Sequence, residues 1–255
     1  MNNSKPIIII QARTGSSRLP SKMIMPFYGN KSILEILIER IRADYPDLAT
    51  QVVVATTMEE RDDVITSICH NMGVACFRGN ENDVLERFIQ CANFYNTDKM
   101  IRICADNVFL DTESLGRLYK IMDNEDYDYV SFRTSHMTPS IKTHFGFWAE
   151  GVKLSALENV KTRTSEPIYH EHVTNFIYQH DGYTLKWLPI DAFIESHKNL
   201  RLTIDTSDDF RIQASIYSYM MENAIDITPR NIIAYLDNHA EIYEIMRKNI
   251  IENTK

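Results

Sequence analysis

The chain has 255 residues, 44% of them hydrophobic and 24% charged, and 27 Lys and Arg against 35 Asp and Glu give a formal net charge of −8. This is ordinary for a globular protein with ample material for a core, and the acidic balance excludes a general nucleic-acid binder, which needs a dominant basic face. No stretch approaches the ~20 apolar residues of a bilayer span, so no membrane partner is expected.

In chain order, Ile7–Gln11 reads as the first strand, and its continuous apolar run Ile7–Ile10 is the pattern of a strand buried on both faces. Ser32–Asp44 has helical apolar spacing and opens on a Ser32/Glu35 capping box. Strands at Gln51–Thr56, Val74–Phe77 and Lys99–Ala105 alternate with helices at Asp62–Met72, Asp83–Tyr95 and Glu113–Asn124. This succession predicts an α/β fold, with a mostly parallel central sheet flanked by helices. Strands around Tyr129–Arg133, Phe145–Trp148 and Tyr183–Leu188 then suggest a small antiparallel insertion. Leu200–Ile204 reads as a further strand, followed by helices at Asp208–Asn223 and Pro229–Lys248. Without repeats or a Pro/Gly/Ser linker, residues 1–255 are expected to form one domain, with an insertion at about 135–190 and C-terminal helices over 207–255. Cys69, Cys76, Cys91 and Cys104 have no metal or disulfide spacing, and the N-terminus has no signal-peptide pattern. A cytoplasmic location is expected.

The loop after the first strand carries the strongest chemical signal. Gln11-Ala12-Arg13-Thr14-Gly15-Ser16-Ser17-Arg18-Leu19-Pro20-Ser21-Lys22 is small and hydroxyl-rich, with three cations. Ligands of open α/β sheets sit beyond the carboxyl ends of strands, and cations converging there suit a polyphosphate. The loop is neither a Walker A nor a G-x-G-x-x-G element. Asp106 and Asp205 each follow a predicted strand, so each is placed on the ligand side. Two carboxylates completed by phosphate and water oxygens suit Mg²⁺; each Asp also has a reading as a turn residue, and Asp205 as a helix cap.

Ala12-Arg13-x-x-Ser16-x-Arg18-Leu19-Pro20-x-Lys22 resembles the signature loop of the sugar-acid cytidylyltransferases, the octulosonate and acylneuraminate CMP-synthetases, and especially their spore-coat polysaccharide branch. Further matches follow in order at Phe77–Phe88, Arg102–Asn107, Glu171–Thr174 and Leu200–Thr206, so the likeness spans about residues 6–215. It implies a nucleotide-diphospho-sugar transferase fold (GT-A, Rossmann-like). The implied activity is transfer of CMP from CTP to a sugar acid, sugar phosphate or related small acceptor, in a homodimer paired through about 135–190. Mg²⁺ is the implied cofactor.

The resemblance makes Arg13, Lys22 and Asp106 catalytic and Asp106 and Asp205 metal ligands. Gln11, Ala12, Arg13, Ser16, Ser17, Arg18 and Lys22 would hold CTP with Arg78, Gly79, Asn80 and Asp83, of which Asp83 also reads as the cap of its helix. Arg87 reads as an i, i+4 partner of Asp83, leaving Arg78 as the better ligand. On the acceptor side stand His144, Trp148, Glu150, Glu171 and His172. Trp148 occupies a position where the branch commonly has Asp, which points to a different acceptor. A zinc pair at His170 and His172 on one strand face is disfavoured by the missing H-E-x-x-H pattern. A glycosyltransferase of the same architecture is the alternative enzyme, and Asp106-Asn107-Val108 lacks its Asp-x-Asp acid. A non-catalytic nucleotide-binding protein is the other alternative.

Overall fold

The structure is a computed structural model that describes residues 5–253; the ends of the expected 1–255 unit, residues 1–4 and 254–255, lie outside the described residues. Strand β1 (Ile7–Gln11) lies in the middle of the sheet. It is followed by the cation-bearing loop and by a short antiparallel pair, β2 (Pro26–Tyr28) and β3 (Lys31–Ser32), which the sequence pattern did not announce. Helix α1 (Ile33–Asp44) starts at the expected Ser32/Glu35 capping box. Next come β4 (Val52–Thr57), α2 (Asp63–Met72) and β5 (Ala75–Gly79). Gly73 ends α2 in the left-handed conformation that suits a residue without a side chain. Helix α3 (Val84–Phe94), β6 (Lys99–Cys104), α4 (Thr112–Asn124) and β7 (Tyr129–Arg133) complete the expected alternation.

Beyond residue 133 the sequence reading needs correction. Phe145–Trp148 is not a strand. Gly146 has φ +71°, outside extended geometry, and the strand begins later, as β8 (Glu150–Lys153). Helices α5 (Leu154–Arg163), α6 (Pro167–Glu171) and α7 (Asn175–Gln179) follow, so His170 lies on a helix rather than on a strand. Strand β9 (Leu185–Pro189) and helix α8 (Ala192–Ser196) lead to 200–204, which is irregular and joined to 144–148 by the Leu202 N–H donating to His144 O at 2.7 Å. The chain ends in α9 (Ser207–Glu222), α10 (Pro229–Asp237) and α11 (Ala240–Glu252); the last two, expected as one helix, break at Asn238–His239.

The seven-stranded sheet has the order β5-β4-β1-β6-β8-β7-β9. Only β8 runs antiparallel to its neighbours, since β9 pairs parallel with β7. Burial on both faces explains the isoleucine run. Ile8 and Ile10 pack with Leu34, Leu37 and Ile38 of α1 and Leu118 of α4, while Ile7 and Ile9 pack with Leu85 and Phe88 of α3 and Leu157 of α5. A third, aromatic-rich core joins Phe109, Phe132, Phe147 and Trp148 to Leu202 and Ile204 and to Ile216, Ile232 and Leu236 of the C-terminal helices. It brings the irregular 200–204 segment to the carboxyl ends of β1 and β6, where the first loop lies.

Candidate active site

The first loop is shaped by a buried carboxylate. Thr14 donates from its backbone N–H and its hydroxyl to Asp62 Oδ1 at 2.8 and 2.6 Å, and Thr57 donates its hydroxyl to Asp62 Oδ2. Burial alone would raise the Asp62 pKa, but these hydrogen bonds and neighbouring Arg61 outweigh it and hold the carboxyl below its ordinary value. Ser16 and Ser21 both donate their N–H to Thr14 O at 2.9 Å, folding the loop back over this anchor. The sequence reading took Asp62 only as a helix start.

The folded loop walls a cleft of about 250 Å³, lined by Gln11, Arg13, Ser16, Ser17, Arg18 and Lys22 on one side and by Asp106, Asp205 and Glu171 on the other. Ala12 is buried next to this wall, its N–H on Ala55 O at 3.1 Å. Lys22 is the hub. Its Nζ lies 2.8 Å from Asp106 Oδ2 and 3.9 Å from Asp205 Oδ1, and it donates to Ile204 O. Arg18 Nη2 approaches Asp205 Oδ1 at 2.7 Å, and Arg13 lies 3.9 Å from Glu171.

Asp205 is fixed from behind by Arg201, which is buried and donates to Asp205 Oδ2 at 3.0 Å and to both oxygens of Asp209 at 2.8 and 2.9 Å. Burial tends to raise the Asp209 pKa, but Arg201 and the backbone donors prevail and lower it. Asp209, not Asp205, forms the capping box of α9 with Thr206. The helix-cap reading of Asp205 therefore falls away, and its carboxylate points to the cations of the cleft.

Under the cleft floor lies a second buried network. Arg102, on β6, donates to Glu150 Oε2 at 2.6 Å from Nη1 and to Gln11 Oε1 at 3.2 Å from Nε and Nη2. Glu150 also accepts hydrogen bonds from the Tyr129 hydroxyl and, at 3.1 and 3.2 Å, from Thr174 Oγ1. An arginine can only donate, so Gln11 turns its oxygen to Arg102 and its amide nitrogen is the end left for the cleft. Burial and the adjacent Glu150 raise the Tyr129 pKa well above its ordinary value, which keeps that hydroxyl a donor. Glu150, expected on the acceptor side, is thus 2% exposed and supports the cleft from beneath.

The 78–83 segment also departs from expectation. Arg78 turns away, donating to Thr57 O and Glu59 O at 2.8 Å and pairing with Asp63. Asn80 Oδ1 accepts from the N–H groups of Asn82 and Asp83 at 2.8 and 3.1 Å. Both Asp83 oxygens are occupied, one capping α3 through Glu86 N and the other 2.8 Å from His170 Nδ1. Arg87 reaches Asn80 O at 2.7 Å rather than the Asp83 side chain, packs its stem against Gly79, and is pushed down to about 10 by burial and by Arg13. The segment meets the cleft through Glu81 O, which Arg13 Nη1 approaches at 3.4 Å.

Among the remaining acceptor-side residues, His144 Nδ1 accepts from Arg201 at 2.6 Å, Glu171 lines the cleft, and His172 is exposed at the end of α6. Trp148 lines a smaller pocket that opens beside Asp106 and Asp205. Arg102 and Arg201 were both missed in the sequence, although a charged residue inside an apolar run marks each one. Among the described residues no cluster of three or more His, Cys, Asp or Glu is suited to a metal. The facing Asp106 and Asp205 are an all-oxygen pair that fits a hard cation completed by phosphate and water oxygens, and does not fit zinc.

A mostly parallel sheet with cations and paired carboxylates at its carboxyl edge has the form of a site for a phosphorylated ligand. The chain belongs to the cytidylyltransferase family, whose model matches residues 7–251, and is accordingly a CTP-dependent nucleotidyltransferase. It is 33% identical over 252 residues to an uncharacterized protein of Methanocaldococcus jannaschii, covering 98% of this chain and 96% of that protein. It is 30% identical over 239 residues to the spore coat polysaccharide biosynthesis protein SpsF of Bacillus subtilis, covering 92% of this chain and 95% of that one. Among solved structures, a cytidylyltransferase from Leptospira borgpetersenii superposes with TM-score 0.80 at 27% identity, over 94% of this chain and 96% of that chain. A CMP:2-keto-3-deoxy-manno-octonic acid synthetase complexed with CTP shares the fold, with TM-score 0.63 at 14% identity over 85% of this chain and 99% of that one.

Proposed function

We propose that the cleft transfers a cytidylyl group from CTP to a hydroxyl of a small acceptor, with Mg²⁺ as cofactor, in surface polysaccharide or glycoconjugate biosynthesis. The observation that carries this reading is the convergence of Asp106 and Asp205 on Lys22, with Arg13 and Arg18 lining the same cleft. The acceptor oxygen attacks the α-phosphorus, the bond from that phosphorus to the α,β-bridging oxygen breaks, and pyrophosphate leaves while the hydroxyl proton passes to solvent. Negative charge grows on the phosphoryl oxygens, so positioning and electrostatic stabilisation dominate. Arg13 and Arg18 suit bidentate phosphate contacts, and Lys22 supplies a compact charge between the carboxylates. Asp106 and Asp205 would hold Mg²⁺, which supplies charge neutralisation at the triphosphate when bound.

The relative from B. subtilis, by its name a polysaccharide biosynthesis protein, supports the biological setting. A reducing cytoplasm suits four cysteines spaced without a disulfide pattern. Exposed Met137 and Ile168 lie in the stretch assigned to homodimer pairing. The test is pyrophosphate release with Mg²⁺, each of the four nucleoside triphosphates and a panel of acceptors. Release that requires CTP and stops with EDTA is expected; release with ATP, GTP or UTP but not CTP would refute the reading.

A further inference from the structure

The walls of the nucleotide cleft carry no surplus of positive charge. Three cations line it, Arg13, Arg18 and Lys22, and so do three carboxylates, Asp106, Asp205 and Glu171. Each cation has a carboxylate against it, Lys22 on Asp106, Arg18 on Asp205 and Arg13 near Glu171. A triphosphate carries several negative charges, and Mg²⁺ held by the aspartates would offset only part of them. A further cation, Arg87, stands one layer behind this wall.

Arg87, near the start of α3, is 0% exposed. Its Nη1 donates to Asn80 O at 2.7 Å, and its stem fits so closely under Gly79 that a Cβ there would meet Arg87 Cγ at 2.8 Å. The other two nitrogens, Nε and Nη2, are buried without a hydrogen-bond partner. No carboxylate among the described residues lies within ion-pairing distance of this guanidinium. Asp62 and Glu81 act on it from further off, and both are engaged elsewhere, Asp62 with Thr14 and Thr57 and Glu81 with Arg61. Arg102, a like charge nearby, is paired with Glu150. A buried charge without a partner costs stability. A protein retains that cost where the charge serves function rather than folding.

The position of Arg87 shows what the charge acts on. Asn80, whose carbonyl it holds, precedes Glu81, whose carbonyl Arg13 Nη1 approaches at 3.4 Å. Arg87 thus stands behind Arg13 and the 79–81 segment, on the side away from solvent. Buried charges are screened far less than exposed ones, so its field reaches the cleft with little loss. Resting on the cytidylyl-transfer reading, we propose that Arg87 is a positioning residue for the triphosphate: without touching the nucleotide, its buried, unpaired charge repels Arg13 into the cleft and supplies the positive surplus that holds the phosphates there. Burial, and after it Arg13, push its pKa down to about 10, which leaves the guanidinium charged at neutral pH.

The test uses Arg87→Met, which keeps the stem under Gly79 and deletes the charge, and Arg87→Lys, which keeps the charge. Thermal melts are read beside dissociation constants for CTP and CMP by calorimetry with Mg²⁺, and for uncharged cytidine by competition with CTP. Arg87→Met should melt at or above the temperature of the unmodified protein. Its binding should weaken in step with ligand charge, by about tenfold for CTP, about threefold for CMP and not at all for cytidine. Arg87→Lys should recover most of the CTP affinity. Unchanged CTP binding in Arg87→Met overturns the inference, as does an equal loss for CTP and cytidine, which would make Arg87 a prop for the shape of the segment. A melting temperature lower by more than about five degrees in Arg87→Met overturns it too, since the guanidinium would then be stabilising. These results leave cytidylyl transfer standing; an unmodified protein that binds neither CTP nor CMP overturns both.

Discussion

Replacing Arg102 by Met should destabilise the protein severely, and the structure sets the size of the effect. Arg102 is 6% exposed and Glu150 2%, so the substitution leaves a carboxylate in the interior with only the Tyr129 and Thr174 hydroxyls. Breaking a buried pair from one side costs about 3–5 kcal/mol. In a chain of this size that corresponds to a loss on the order of ten degrees in melting temperature. Replacing both partners, Arg102→Met with Glu150→Leu, removes the uncompensated charge and should recover most of the loss. The double variant still lacks the guanidinium that fixes Gln11, so its amide is free to turn and the KM for CTP should rise by roughly three- to tenfold. The assay is a pair of thermal melts with steady-state kinetics on the double variant. A melting temperature for Arg102→Met within about two degrees of the unmodified protein would refute the buried-pair argument. An unchanged KM in the double variant would refute the role assigned to Gln11.

Other substitutions probe other parts of the site. Arg13→Ala and Lys22→Ala should each lower kcat/KM for CTP by about tenfold or more with folding intact, as read by pyrophosphate release; undiminished turnover would remove the loop from the chemistry. Gly146→Ala puts a Cβ against Leu202 O at a φ of +71° and should cost about 1–3 kcal/mol, measured by urea unfolding. The pH dependence of stability should carry a contribution from His170. Burial lowers its pKa, but the hydrogen bonds to Asp83 and Thr164 O prevail and raise it above the ordinary value. A raised folded-state pKa means that this stabilisation is complete below about pH 6.5 and fades as pH rises through the folded value. His170→Asn should therefore lower the melting temperature at pH 5.5 more than at pH 8.5, and a loss equal at both would contradict the assignment.

The first half of the fold was legible because its signals are local. Ile7–Ile10 is apolar on both faces, and the structure divides those residues between the two helical layers. Ser32 and Glu35 announce a helix start within one turn. The convergence of Arg13, Arg18, Lys22 and Asp106 followed from strand-end positions in a parallel sheet, whereas Asp205 joins them from the end of a segment that is irregular rather than a strand. What failed was long-range or conformational. Phe145–Trp148 has the composition of a strand, but the positive φ of Gly146 and the contact with Leu202, distant in sequence, decide otherwise. Glu150 reads as a cleft residue until Arg102, 48 residues earlier, is found against it. Arg78 and Arg87 are nine positions apart in one motif, and only the path of the chain after β5 shows Arg78 turned to Asp63 and Arg87 turned inward beneath Asn80. The capping roles of Asp83 and Asp209 are local, yet choosing Asp209 over Asp205 required the buried Arg201 that binds both.

The most direct measurement of the central claim is pyrophosphate release from CTP and Mg²⁺ by the unmodified protein and by Asp106→Asn, side by side with an accepted acceptor. The account predicts release by the first and background release by the second, with equal melting temperatures. Equal rates from the two proteins would contradict it.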